Sequence, residues 1–407
     1  MHFTSGMHIT RRGALALCGL VFIVGGIVYV YAAFLGRTGS TLGESAIEAR
    51  SSAAKEIHWE PAKPKEAKAV VSSEERDKLL RRAQVWRAPA IPIEKVDFAA
   101  DPQAPQDVHC RFKVSELGGT TPKFDCTLPN GELIRVKYGK TGEIPGEVAT
   151  TRLLRALGFG ADDVTFVRRL RCYGCPEEPF TVMKAVELTQ AETLYKTLML
   201  SYDSYEDFAW AAIERKFDGR PIETEQMAGW AMFELDKIDQ RQGGASRVHV
   251  DALRLLAVFL AHWDNKADNQ RLVCLSAVDP KHGEACAKPF VLLQDVGSTF
   301  GPSKVDLEAW TNAPVWENRA SCLTSMRELP FDGATYGEAR ISEGGRRLVA
   351  DMLTKLSDQQ LVDLFTSSRF DDPLGLFRRR SAIPEWVEAF KARVRQIAEG
   401  PPCPSAT

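Results

Sequence analysis

One short stretch of the chain crowds together His262, Asp264, Lys266, Asp268 and Asn269. An apolar run at 253–260 leads into it and another, at 272–275, leads away. After a break rich in Pro, Gly and charge, the apolar run 290–293 delivers Asp295, two residues before Gly297. The order reads as helix, polar loop, strand, turn, strand and Asp-x-Gly, so carboxylates and an amide stand at the ends of buried elements. Carboxylates gathered at 264 and 295 are suited to gripping a cation that itself carries phosphates. The competing reading is a solvated turn after a helix, and Asp-x-Gly taken alone is ordinary turn chemistry.

The pattern His262-x-Asp264-x-Lys266-x-x-Asn269 resembles the catalytic loop of the protein-kinase-like superfamily, and Asp295-Val296-Gly297 resembles its metal-binding Asp-Phe-Gly. The resemblance implies phosphoryl transfer from ATP with Mg²⁺ or Mn²⁺. Asp264 would position and deprotonate an acceptor hydroxyl, Lys266 would neutralise developing charge, and Asn269 with Asp295 would carry the metal. His262 reads as a structural residue that holds the loop.

The elements that must position this loop also resemble the superfamily. Alternating or apolar runs from 108 to 139, broken by Gly118-Gly119 and by Pro129-Asn130-Gly131, predict three strands. They look like the start of a kinase N-lobe, which makes Gly118 and Gly119 the phosphate-covering hairpin and Lys137 the third-strand lysine. That glycine pair departs from a full G-x-G-x-x-G. An amphipathic helix over 146–157 with Gly158 as its C-cap follows, and Glu147 in its first turn resembles the glutamate that holds the lysine. Only ten positions separate Lys137 from Glu147. This is similar to the compact lobes of HipA-type bacterial kinases and of secretory-pathway Golgi casein kinases. Residues 164–170 and 179–187 read as a further strand pair, and 182–188, with Glu187, as the nucleotide-binding link between lobes. Helices are expected over 189–242, 343–356, 358–367 and 384–398. The expected fold is α+β and two-lobed, with an antiparallel-sheet N-lobe at 108–187 and a helical C-lobe at 188–400, then a tail at 401–407. No Ala-Pro-Glu follows the segment 298–336, so the acceptor stays open among protein, sugar and lipid.

With 44% apolar and 26% charged residues the chain can bury a sizeable core. A net charge of -2 gives no nucleic-acid footprint. Residues 13–36 carry no charged side chain over 24 positions, enough to span a bilayer, and Arg11 and Arg12 before them place 1–12 in the cytoplasm. A cleaved export signal ending near Val30-Tyr31-Ala32 is the other reading. Both export the bulk of the chain, to a periplasm. Residues 37–107, rich in Ala, Pro, Lys and Glu, read as a spacer with a short helix opening at Ser72-Ser73-Glu74-Glu75. Within it Trp59 and Trp86 are candidates for docking the arm on the folded part. Apart from Cys18 in the apolar run there are eight cysteines, an even number that suits an oxidising compartment. The coarse element order suggests Cys110 with Cys126, Cys172 with Cys175 and Cys274 with Cys286, which leaves Cys322 and Cys403 to tie the C-terminal tail back; half a metal site or a redox pair is the competing reading of Cys172-x-x-Cys175.

The sequence thus predicts a membrane-anchored kinase-like phosphotransferase that binds nucleotide and metal. The alternative is a catalytically inactive extracytoplasmic pseudokinase acting as a binding or regulatory module. An ATP-poor periplasm favours that alternative; the complete set Asp264, Asn269 and Asp295 opposes it.

Overall fold

The computed structural model describes residues 57–64, 68–99, 107–276, 286–301, 304–327, 333–371 and 381–404. The expected membrane span at 13–36 lies outside these residues; among the described residues no helix is long and apolar enough to cross a membrane.

Much of the stretch expected to be a spacer is packed structure. The Trp59 indole meets Tyr173 edge-on and lies under the Arg111 guanidinium, and the Glu60 N–H donates to the Pro129 carbonyl at 2.8 Å. Strand β1 (Ala69–Val70) joins a sheet of the second half, and Ser72 Oγ accepts the Glu75 N–H to start helix α1 (Ser73–Arg81). Arg76 forks onto buried Glu234 at 3.0 and 2.8 Å, and Trp86 donates to the Leu157 carbonyl. Alternating apolar side chains and anchored tryptophans bury this belt.

The first half is a closed barrel of β2 (Asp107–Lys113), β3 (Lys123–Thr127), β4 (Leu133–Lys137), β6 (Asp163–Tyr173) and β7 (Tyr205–Arg215), in the order β2-β3-β4-β7-β6. The expectation is an antiparallel sheet; a parallel pairing of β2 with β6 closes it into a barrel instead. Phe112, Phe124, Cys126, Ile134, Val136 and Leu170 fill the interior. Side chains alternate across a strand, so Lys123 and Asp125 on β3, with Arg135 and Lys137 on β4, take the outer face. Helix α2 (Glu143–Ala156) packs beside the barrel, with Gly158 in the left-handed region at φ 88° just beyond its C-cap. It is followed by β5 (Gly160–Ala161).

Two expectations fail here. Residues 179–187 are not a strand but part of α3 (Pro179–Thr189), which with α4 (Glu192–Leu198) forms a helical excursion between β6 and β7. Residues 189–242 are helical only at α4 and in short 3-10 turns; they supply β7 and β8 (Arg220–Glu223).

The second half is built around α5 (Arg247–Phe259), started by Ser246 Oγ accepting from the His249 N–H. Every residue from Val250 to Phe259 is buried, as befits a helix surrounded on all sides. Against it lie β9 (Gln270–Cys274) and β10 (Pro289–Leu293) in a sheet ordered β1-β8-β9-β10-β5. Also packed there are α6 (Leu307–Asn312), the hairpin β11 (Leu323–Ser325) and β12 (Glu338–Arg340), and three further helices. These are α7 (Glu343–Thr354), α8 (Asp358–Ser367) and α9 (Ile383–Ala398), close to their expected positions.

All four expected disulfides are present. Loop-closure entropy grows with the span, so Cys322–Cys403, 81 residues apart, is worth about 4–5 kcal/mol, against roughly 2 kcal/mol for Cys172–Cys175.

Candidate active site

The barrel supplies one wall of the site. Lys137 at the end of β4 is 3% exposed, and its ammonium lies 2.6 Å from both carboxylate oxygens of Glu147 on α2. Glu214 near the end of β7 stands 3.2 Å away and Asp295 3.9 Å away. Burial works against the charge on Lys137, but these carboxylates overcome it and hold the ammonium well above the usual lysine range. Burial pushes the Glu147 carboxyl up to about 8 against the pull of Lys137. Glu214, equally buried, is instead held well below the usual range by Lys137 and by Lys216, which also contacts it. Burial likewise opposes the charge on Asp295, and Lys137 and Lys123 bring it below the ordinary aspartate value.

The second wall begins where α5 stops. Ala261 takes a left-handed conformation at φ 52°, the Ala261 N–H donates to the Val258 carbonyl, and the His262 N–H donates to the Ala257 carbonyl. That pair of bonds is a Schellman closure, here without the usual glycine, and a left-handed alanine costs on the order of 1 kcal/mol or more. Neighbouring elements hold it in place. Arg393 on α9 is fully buried and donates to the carbonyls of Val258, Phe259, Trp310 and Ala313, and Trp310 donates to Phe259 as well. A cation on the last carbonyls of a helix also complements its dipole.

Beyond that turn the loop is fixed through its backbone. Buried Asn265 donates to the His262 carbonyl at 2.8 Å and accepts the N–H groups of Thr335 and Tyr336, both at 2.7 Å. Asn269 donates its amide N–H to the Asp264 carbonyl at 2.8 Å, which leaves the amide oxygen as the atom available to a cation. Asp264 stands 3.3 Å from Lys266, and burial pushes its carboxyl up despite that lysine. His262 is fully buried, and burial lowers it to about 4, so it is a neutral core residue.

The Asp-x-Gly turn joins the walls. The Gln294 N–H donates to the Asn269 carbonyl at 2.8 Å, and Asp295 follows in a left-handed conformation at φ 52°. Gly297 is required by α2: a Cβ there would lie 2.8 Å from the Glu143 carbonyl oxygen, and one on Gly146 would lie 2.7 Å from that of Gly297. Thr299 and Thr150 hydrogen-bond at 2.8 Å across the same seam. The turn that aims Asp295 is thus seated on the helix that carries Glu147.

Lys137 thus lies against Glu147 and Asp295, Asp264, Lys266 and Asn269 share the loop, and Gln294, the residue before Asp295, is tied to that loop; Gly118-Gly119 lies in the segment between β2 and β3, with Gly119 against Lys123. Glu187 does not belong. It lies on α3 with its side chain 42% exposed, paired with Lys184 at 3.1 Å. The chain passes to the second half after β7 instead, through Lys216 to Gly219. There the Phe217 N–H donates to Asp162, and the Phe217 ring stacks on Phe290 at 5.7 Å. This link borders a cavity of about 1030 Å³ whose lining includes Arg135, Asp162, Lys216, Arg271, Leu292 and Gln294. Sequence reasoning missed Glu214, Lys216, Asp162 and Lys123. The signal for the first was present, because Ala211-Ala212-Ile213 is an apolar run ending in a carboxylate just before Asp218-Gly219, as 290–293 ends before Asp295.

An amide oxygen and a carboxylate are hard donors of the kind Mg²⁺ and Mn²⁺ take, so Asn269 and Asp295 fit such a cation. No protein-family model matches the chain, and no curated protein matches it. Among solved structures the chain is similar to the crystal structure of a Helicobacter pylori proinflammatory kinase, CtkA, at 10% sequence identity and a TM-score of 0.38, over 72% of this chain and 96% of that one.

Proposed function

We propose that this protein is an atypical kinase-like phosphotransferase that uses ATP and Mg²⁺ or Mn²⁺ on an alcohol acceptor of protein, sugar or lipid origin. The observation that carries this reading is Lys137, gripped by Glu147 and Glu214 with Asp295 only 3.9 Å off, opposite a loop that presents Asp264 and Asn269. When bound, the nucleotide and its cation supply the phosphoryl group and neutralise its charge. Lys137 orients the phosphates, and Glu147 and Glu214 hold Lys137. Asn269 and Asp295 would hold the cation. Asp264, its carboxyl raised by burial, accepts the proton of the acceptor hydroxyl, while Lys266 steadies charge beside it. Four disulfides support an oxidising compartment, so we place the domain outside the cytoplasm, tethered by 13–36.

The test is transfer of radiolabelled terminal phosphate from ATP, with Mg²⁺ or Mn²⁺, to protein, sugar and lipid acceptors. Asp264→Asn should lower the rate by about 10²–10⁴-fold at unchanged ATP binding. Nucleotide binding with no transfer to any acceptor would favour the non-catalytic binding module.

A further inference from the structure

Among the described residues, Lys123 stands beside Lys137 with no carboxylate in contact with it. It is 7% exposed, yet among the described residues it makes no hydrogen bond and no ion pair. Strand register pairs it directly with Lys137, so the two ammonium groups leave adjacent strands on the same face. Like charges directly opposite across a ladder repel, and a buried lysine without a partner costs stability. Lys137 has its carboxylates in contact and Arg135 has Asp125 at 2.9 Å; Lys123 has only the more distant attraction of Asp295 and Glu214, against the repulsion of Lys137 and Arg135. Its ammonium sits beneath the turn between β2 and β3, where a Cβ on Gly119 would lie 3.2 Å from Nζ, and Gly119 is at φ 71°. A bare cation under a glycine turn leaves room for a ligand atom and for backbone N–H groups to reach it.

We propose that Lys123, with the Gly118-Gly119 turn above it, is a binding site for the distal oxyanions of the donor's polyphosphate chain, beside and separate from the Lys137 position. This inference rests on the phosphotransferase reading and adds to it the recognised part of the donor. The missing counter-ion of Lys123 is a phosphate oxygen. The site recognises a polyphosphate chain, whether borne by a nucleoside or free, and takes no part in recognising a base.

The experiment is titration calorimetry with Mg²⁺ present, using ATP, inorganic tripolyphosphate and adenosine, on the wild type, Lys123→Met and Lys123→Arg, with thermal melts of each protein alone. Loss of a charge-assisted contact in Lys123→Met should weaken ATP by about 10–100-fold. Tripolyphosphate, if it binds the wild type, should weaken equally, whereas adenosine should be unchanged. Lys123→Arg should recover most of the affinity, and unliganded Lys123→Met should melt no lower than wild type, because the charge it removes is unpaired. Tripolyphosphate that binds as ATP does identifies the free chain as a sufficient ligand; ATP binding alone identifies the nucleotide as the source. Wild-type binding of ATP with no loss in Lys123→Met overturns this inference and leaves the phosphotransferase reading intact. A lower melting point for unliganded Lys123→Met overturns it too, by giving Lys123 a structural role. Failure of wild type to bind either phosphate compound overturns both.

Discussion

The two walls of the cleft are held in opposite ways. On the barrel side, side chains pair with side chains: Lys137 is enclosed by Glu147 and Glu214, and Glu214 is shared with Lys216. On the loop side the backbone is fixed, by Arg393, Trp310, Asn265 and Asn269, while the reactive groups are sparsely engaged. Asp295 is 40% exposed and Lys266 41% exposed. The difference teaches where the ligand's share of the bonding belongs. The barrel wall is complete without a ligand, apart from Lys123, whereas the loop wall presents oxygen atoms that, on the proposed reading, a cation and its nucleotide would complete.

Breaking the barrel wall should therefore destabilise the fold, and breaking the loop wall should do so much less. Lys137→Met strands buried Glu147 and leaves Glu214 with Lys216 alone, and should cost about 3–5 kcal/mol, read as a lower urea midpoint at unchanged slope. A loss below about 1 kcal/mol would show that the wall is not self-contained.

The loop wall has a pH signature of its own. His262 is lowered to about 4 in the fold from an ordinary value near 6.5, so between those values the unfolded chain binds the proton and the folded chain does not. Its contribution is fully present above pH ~6.5 and is lost as pH falls towards 4, by roughly 3 kcal/mol. Denaturant melts across that window should show the slope, and His262→Phe should flatten it. A His262→Phe profile as steep as wild type would place the titration elsewhere.

The smallest effect is expected outside both walls. Glu187→Ala removes only an exposed pair with Lys184, so stability should move by less than about 0.5 kcal/mol and ATP affinity should not change. A clear fall in ATP affinity would return Glu187 to the cleft.

Much of the site was legible because its residues end apolar runs. Asp295 after 290–293 and the polar cluster after 253–260 stand out against hydrophobic periodicity, and so does Lys137 at the end of a β-branched strand. Glu214 also ends an apolar run but was passed over because Trp210-Ala211-Ala212-Ile213-Glu214 contains good helix formers, and pairing with β4 and β6 overrode that local preference. The misplacement of Glu187 has the reverse cause. Val182 and Val186 look like strand residues, but their spacing of four puts both on one helical face, against the barrel with buried Met183. Lys123 left no trace in the sequence, because an unpaired cation is visible only once its neighbours are known. The fold of the second half was readable as helices, while the closure of the barrel by a parallel β2–β6 pair was not.

The central claim is that Asn269 and Asp295 hold a divalent cation together with the nucleotide. Paramagnetic resonance of Mn²⁺ titrated into the protein with ATP tests it most directly. Wild type should take up about one Mn²⁺ per chain beyond that held by ATP in solution, and Asp295→Ala, folded and melting within about 1 kcal/mol of wild type, should take up none. Equal uptake by Asp295→Ala would contradict the account.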